Sequence, residues 1–326
     1  MIRTLIAFAL CAPVLAHASY AKRPEVEAFV RDLARRHGLA ENELKHVFQR
    51  VQRLDPVLEA ISRPAERVRT WEEYRALLIT ERRIAEGLEF WKKHRRTLER
   101  AERKYGVAPE YVVAIIGVET FYGRNTGSWR VVDALTTLAF DYPPRAGFFR
   151  SELENYLLMA REAGIDVFSV RGSYAGAIGI PQFMPSSARR YAVDFDGNGT
   201  IDLQKSRADA IGSVANFLKA HGWERDADVA VQARVPDEGW RAFAHDRFEP
   251  KYSLIDMRQA GIEFDSPQPA GASGTVVELL NAERASEFRV ALRNFYVITR
   301  YNRSALYAAA VSDLALELRK GYELGR

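Results

Sequence analysis

The sequence carries a single cysteine, Cys11, and it lies inside an apolar leader. Once that leader is removed, no disulfide, thiol nucleophile or cysteine metal site is left. An excess of one charge is also missing. Lys and Arg number 47 against 43 Asp and Glu, a formal net charge of +4. That falls well short of the concentrated basic charge of a nucleic-acid binder, so no nucleic-acid partner is expected. The charge alone decides little, and it still favours an acidic polymer over a neutral one. Beyond the leader no apolar run reaches the ~20 residues that span a bilayer, so no transmembrane segment is expected in the mature chain. Internal repeats and low-complexity tracts are absent. What is present is 326 residues, 47% hydrophobic and 28% charged, enough for about two domains with a sizeable core.

The leader itself, "MIRTLIAFALCAPVLAHASY", has the layout of a secretory signal. Arg3 supplies the positive start, Leu5 to Leu15 the apolar centre, and Ala16 and Ala18 the small residues before a cut. Cleavage is expected after about Ala18, with export to the periplasm. The apolar run is short for an uncleaved anchor. Lipid attachment at Cys11 is disfavoured, because Leu10 stands where a lipobox has Gly or Ala.

From Pro24 to about Lys104 apolar residues recur three and four apart, which predicts helices. A second unit from Pro109 to Trp223 alternates helical patterns with Gly- and Pro-rich loops. Then "ADVAVQARV" alternates like a strand, and "GTVVELLNAERASEFRVAL" and "FYVITRY" read as further short strands. The end, "SALYAAAVSDLALELRKGYE", returns to a helical period. The expected divisions are a leader over 1–18, a helical domain over 19–105, and a core over 106–225. A small β-rich domain over 226–295 and a closing segment over 296–326 complete the chain.

Within the core, "AIIGVETFYG" ends an aliphatic run on Glu119. A carboxylate beside that much apolar surface costs several kcal/mol unless it is paired, hydrogen-bonded or protonated. The run suits a buried strand as well as a buried helix, although Pro109 in front and Gly123 behind fit helix ends. Protonated near neutrality, Glu119 has the property a general acid needs. The structural alternative pairs it with Arg124 or Arg130.

The flanking loops narrow the chemistry. "GSYAGAIGIPQFMPSS" offers Ser173 and Gln182 as neutral hydrogen-bonding groups, but it lacks the ending of a phosphate loop. Ser173 is not framed as a hydrolase nucleophile either. "RYNRSALY" adds Tyr301, Asn302 and Tyr307. Rings beside amides and hydroxyls suit a sugar chain, apolar on its faces and polar on its edges. Any one of them alone is more often packing; together they suggest a carbohydrate cleft. A last motif, "DFDGNGTIDLQK", follows the EF-hand rule, with Asp194, Asp196 and Asn198 as oxygen ligands, Gly199 at the turn and Thr200 offering its carbonyl. Lys205 stands where the closing Glu belongs, and an Asx-rich turn without metal is the alternative.

Taken in order, "GVETFYGRNTG", "GSYAGAIGIPQFMPSS", "DAIGSVANFLKAHGW" and "RYNRS" resemble the signature blocks of the lytic murein transglycosylase B family, over about Trp71 to Tyr307. The resemblance implies a mainly α (α+β) fold: a lysozyme-like helical core, a helical N-terminal domain and a small inserted β-rich domain. It favours helix before Glu119 and implies that Glu119 is the single catalytic acid and base. By position it implies cleft roles for Tyr74, Arg145, Ser173, Gln182, Phe217, Tyr301, Asn302 and Tyr307. Pro144 replaces a second arginine common in relatives, and Phe217 replaces a tyrosine. Asp209 is implied as the acid closing a structural calcium loop. The substrate implied is the glycan strand of peptidoglycan, with cell-wall synthesis or remodelling proteins as candidate partners. Two other readings stay open here. One is a lysozyme-type hydrolase in which Asp133 or Asp141 assists a water; the other is a non-catalytic peptidoglycan scaffold.

Overall fold

The computed structural model describes residues 19–62, 70–236, 238–266, 269 and 271–325. The leader expected over 1–18, Cys11 included, lies outside the described residues. Helices dominate: α1 (Pro24–His37), α2 (Glu41–Arg50), α3 (Asp55–Ser62), α4 (Trp71–Leu78), α5 (Glu81–Tyr105) and α6 (Pro109–Thr120) lead the chain. A short antiparallel pair, β1 (Trp129–Arg130) with β2 (Arg171–Gly172), brackets α7 (Val131–Asp141) and α8 (Ala146–Glu162). Next come α9 (Pro185–Tyr191) and α10 (Arg207–Ala220). The β-rich part holds β3 (Ala230–Arg234), β4 (Tyr252–Ser253), α11 (Leu254–Gln259), β5 (Glu263–Phe264), β6 (Ser273–Leu279) and β7 (Glu287–Ala291). Two helices, α12 (Arg293–Tyr301) and α13 (Ala305–Leu324), close the chain.

Local chemistry sets the ends that matter for the site. Thr70 and Glu73 form a capping box at the start of α4, and the Thr80 hydroxyl accepts from the Arg83 amide (3.1 Å) to start α5. Gly106, in the left-handed region at φ 76°, stops α5. Pro109 then opens α6, where its missing N–H costs nothing.

The helices before residue 105 divide between two cores. α1 to α3 pack through Val26, Leu33, Phe48 and Val57 against Leu135, Phe149 and Tyr156 of α7 and α8. α4 and α5 join α6, α10, α12 and α13 around Trp71, Leu98, Ile116, Val214, Phe295 and Leu314. α6 is apolar on every side, with Val113, Ala114, Ile115 and Ile116 fully buried, which marks a core helix rather than a surface one. Each such aliphatic side chain contributes about 1.5–3 kcal/mol by leaving water, so the helix is held in place along its whole length. The third core belongs to the five-stranded antiparallel sheet, ordered β4-β6-β7-β3-β5, with Trp240, Met257 and Val290 beneath it.

One expectation is overturned. "FYVITRY" is helical, lying within α12, not a strand. Its aromatic and β-branched residues suggested a strand, but Phe295 and Ile298, three apart, face the second core with Asn294 and Val297 beside them. Asn294 fixes the start of the helix by accepting from the Glu224 amide (2.8 Å) and donating to the Glu224 and Ala227 carbonyls (2.8 and 2.9 Å).

Candidate active site

Glu119 lies in the last turn of α6, next to the helix's final residue, Thr120. The turn beyond it is tied down by Thr120, whose buried hydroxyl donates to the Ile180 carbonyl (2.9 Å) and accepts from the Gly123 amide (3.0 Å). Phe121 and Tyr122 both adopt left-handed backbone, at φ 51° and 61°. Their amides return to the Gly117 and Ile116 carbonyls (3.1 and 3.3 Å), a Schellman-type end. The Tyr122 ring then slots between α5 and α6. A Cβ on Gly87 or Gly117 would lie 2.4 or 2.6 Å from its hydroxyl, which donates to the Arg83 carbonyl (2.8 Å).

Glu119 is half-buried, and its Oε1 accepts a hydrogen bond from the Tyr307 hydroxyl at 2.6 Å. Burial raises its pKa to about 7, with the Tyr307 bond pulling the other way. The C-terminal end of α6 carries partial negative charge, which likewise disfavours an ionised carboxylate. Among the described residues no cation and no second carboxylate contributes to the shift. The arginine partners considered from sequence are engaged elsewhere: Arg124 with Glu86 (2.8 Å) and Arg130 with Asp133 (2.6 Å). Tyr301 and Tyr307 stand beside Glu119, and both hydroxyls are pushed well above the ordinary tyrosine range by burial and by its charge.

At the start of α10 and in the loop before it, Asp194, Asp196 and Asp209 bring carboxylate oxygens within 4.8 Å of one another. The Asp194 carboxylate accepts the Gly197, Asn198 and Gly199 amides (2.8, 3.1 and 2.8 Å), and this holds it below the usual carboxylate range. Asp209, fully buried in the first turn of α10, accepts the Phe195 and Asp202 amides (2.8 and 2.9 Å). The Asn198 side-chain oxygen accepts from the Thr200 amide (2.9 Å). Backbone amides, not cations, order these acids. Such clustered oxygen donors fit a hard divalent cation of calcium's size.

Residues 21–316 match the transglycosylase SLT domain. The membrane-bound lytic murein transglycosylase B of Escherichia coli K12 is 40% identical over 304 residues, 90% of this chain and 82% of that one. Soluble lytic transglycosylase SltB1 of Pseudomonas aeruginosa superposes with a TM-score of 0.87 at 49% identity, covering 92% of this chain and 100% of that one. Lytic transglycosylase Slt35 of Escherichia coli, solved in complex with calcium, superposes at 0.83 with 40% identity, over 93% of this chain and 95% of that one.

The chain belongs to the transglycosylase SLT family. It is a lytic transglycosylase acting on peptidoglycan, with a mainly helical, lysozyme-like fold.

In this transglycosylase the residues singled out from sequence fall into distinct groups. Tyr301 and Tyr307 meet at Glu119, and Tyr74 on α4 lies close enough to Tyr307 to raise its pKa further. The Tyr301 hydroxyl donates to the Pro181 carbonyl (2.6 Å), and its ring rests on Phe183 and Phe217 (centroids 5.7 and 4.8 Å apart). Phe217 is itself covered, only 4% exposed, so its ring supports Tyr301 from below. Gln182 spans the loops: its amide nitrogen donates to the Thr126 and Gly179 carbonyls (3.1 and 2.8 Å). Ser173 shapes its own turn, accepting the Ala175 and Ala177 amides (3.3 and 3.0 Å). Arg145 is exposed and stacks on Phe148 (4.5 Å), and Asn302 is exposed at the end of α12.

Two acids weighed as helpers of a water are structural. Asp133 accepts the Gln52 amide (3.2 Å) and Arg130, and Asp141 accepts from Tyr20 and Arg23. Sequence reading missed Thr120, Tyr122 and the glycines at 87 and 117 that admit the Tyr122 ring. Only the unexplained glycine inside each helix could have hinted at them.

Proposed function

We propose that Glu119 alone serves as acid and then base, converting the bond between N-acetylmuramic acid and N-acetylglucosamine into a 1,6-anhydro end. With a pKa of about 7, Glu119 is about half protonated at neutral pH. It gives that proton to the glycosidic oxygen, the bond to the muramoyl carbon-1 breaks, and the glucosamine leaves as an alcohol. The 2-acetamido carbonyl of the muramoyl sugar stabilises the developing cation. Glu119, now a carboxylate held by the Tyr307 hydroxyl, takes the proton of the carbon-6 hydroxyl as that oxygen closes on carbon-1. The proton is returned and no water is consumed.

The observation carrying this reading is the solitude of the carboxylate. Hydrolytic glycosidases use two carboxyl groups, one of them to make or activate the second nucleophile. Among the described residues only burial and the Tyr307 bond act on Glu119, and Asp133 and Asp141 are spent on structure. Tyr74, Tyr301, Ser173 and Gln182 line the cleft in this reading, Phe217 backs it, and Arg145 and Asn302 reach the strand at its outer ends. Digestion of peptidoglycan in water enriched in heavy oxygen tests the scheme. Mass spectrometry should find anhydro ends with no label; labelled reducing ends would establish a hydrolase instead.

The Tyr307 bond makes a pH prediction. It lowers the Glu119 pKa, so Tyr307→Phe should move the alkaline limb of the kcat/KM profile to higher pH while reducing the maximum. A limb that stays put or moves down would remove Tyr307 from the account.

The acidic loop belongs to the same proposal as a structural calcium site, with Asp194, Asp196 and Asn198 as side-chain ligands, Thr200 through its carbonyl and Asp209 closing the shell. Calcium there offsets three clustered negative charges and braces the start of α10. At a hundredfold excess over Kd, binding stabilises the folded state by about 2.7 kcal/mol, a rise of several degrees in Tm. Asp194→Ala should abolish the difference between calcium and chelator. Equal melting of the parent protein in both would leave an Asx-rich turn and no metal. A cell-wall substrate supports a periplasmic location, reached through the leader over 1–18; among the described residues no helix is long and apolar enough to cross a membrane.

A further inference from the structure

Gly179 leaves no room for a side chain. Its backbone is left-handed, at φ 67°, and a Cβ there would stand 2.3 Å from the Leu203 carbonyl oxygen. That oxygen belongs to the acidic loop, and it accepts the Ile180 amide (2.8 Å). One residue further on, the Gln204 side-chain nitrogen donates to the Arg171 carbonyl (2.6 Å). Consecutive residues of the acidic loop thus hold the segment carrying Ser173 and Gln182 at two points. Arg171 lies just before Ser173, and Ile180 just before Gln182.

These bonds continue in both directions. Toward the reacting carboxyl, the Ile180 carbonyl accepts the Thr120 hydroxyl (2.9 Å), so one fully buried residue joins the acidic loop to the neighbour of Glu119. The next carbonyl, of Pro181, accepts the Tyr301 hydroxyl (2.6 Å). Gln182 follows in left-handed backbone, at φ 51°. A non-glycine residue keeps that conformation only where its surroundings over-determine it. Toward the acids, Asp209 accepts the Asp202 amide (2.9 Å), and the Asp202 carboxylate accepts the Gln204 and Lys205 amides (both 2.9 Å). The ordering of the acids therefore sets where Leu203 and Gln204 lie.

We propose that Leu203 and Gln204 form a strap by which the acidic loop positions the cleft, so that a divalent cation in the loop and a glycan strand in the cleft each tighten the binding of the other. Gln204 is a positioning residue, acting through Arg171 on Ser173. Leu203 acts through its carbonyl on Ile180, and Gly179 permits the close approach. The inference rests on the cleft and calcium readings above and adds an energetic coupling between them. Such a coupling is reciprocal.

The test uses the full protein with Glu119→Gln, so that ligand is not consumed. Calorimetry measures binding of a peptide-free tetrasaccharide of alternating N-acetylglucosamine and N-acetylmuramic acid, in calcium and in chelator. Affinity should be about fivefold higher in calcium, the scale of one neutral hydrogen bond. Adding Gln204→Ala should shrink that advantage to within about twofold. Calcium should still raise Tm in this variant, because the Gln204 side chain is no part of the acidic cluster. Hydrogen exchange at the Ile180 amide is the second readout, and Gln204→Ala should quicken it. Equal affinity in calcium and chelator while Tm responds to calcium, or an advantage that survives Gln204→Ala, would overturn the strap. If Tm ignored calcium, the calcium reading would fall and Gln204→Ala would decide. Weaker tetrasaccharide binding would then keep the strap, and equal binding would end it. If the tetrasaccharide bound in neither condition, the glycan reading would fall, and unchanged exchange at Ile180 in Gln204→Ala would overturn the strap independently.

Discussion

Glu119→Gln should yield a folded protein whose activity on peptidoglycan is lower by about 100–10,000-fold, the usual worth of general acid–base help. Gln keeps the shape and still accepts the Tyr307 hydroxyl, but it has no proton to give. The same substitution should stabilise the protein in alkali. The folded Glu119 pKa is about 7 against an ordinary 4.5. Between those values the folded state holds a proton that the unfolded state has lost, so stability falls as pH rises through that window. Above pH 7 the loss is complete and amounts to about 3 kcal/mol. Gln carries no such loss. Melting curves should therefore favour the variant at pH 8 by several degrees and bring the two proteins together near pH 4. A purely structural Glu119 predicts the reverse, a variant that is active and less stable.

Gly117→Ala should cripple the site from behind. The added Cβ would stand 2.6 Å from the Tyr122 hydroxyl and 2.7 Å from its ring carbon, a clash that neither side relieves cheaply. Overpacking of this kind costs about 1–3 kcal/mol. It also pushes on Tyr122, three residues from Glu119, so turnover should fall more than stability accounts for. Gly87→Ala meets the same hydroxyl at 2.4 Å from the α5 side and should behave alike. Tyr122→Phe removes the hydroxyl and should partly rescue either variant in a double-mutant comparison. Full activity and an unchanged Tm in Gly117→Ala would mean that the Tyr122 wedge does not position Glu119.

Much of this was legible in the sequence because it follows from local pattern. Glu119 stood out as a carboxylate ending an aliphatic run, and α6 is the buried element that run requires. The acidic loop was readable because oxygen donors at fixed spacing imply geometry within a dozen residues. What stayed hidden depends on distance along the chain. Tyr307 meets Glu119 from 188 residues away, and nothing local to either predicts the bond. The division of the first helices between two cores is likewise a matter of which apolar stripe finds which partner. α12 misled because side-chain shape in "FYVITRY" favours a strand, while burial of Phe295 and Ile298 on one face decided for helix. Arg130 could be weighed against Glu119 from sequence, but its partner, Asp133, was visible only in the fold.

The central claim is that burial keeps one carboxyl protonated near neutrality so that it acts first as an acid and then as a base. The direct measurement is the titration of Glu119 by carbon-13 NMR on protein labelled at glutamate carboxyls, with Glu119→Gln assigning the resonance. A midpoint near 7, rising in Tyr307→Phe, is the predicted result. A midpoint in the ordinary glutamate range near 4.5 would contradict it, for the carboxyl would then be ionised wherever the enzyme works.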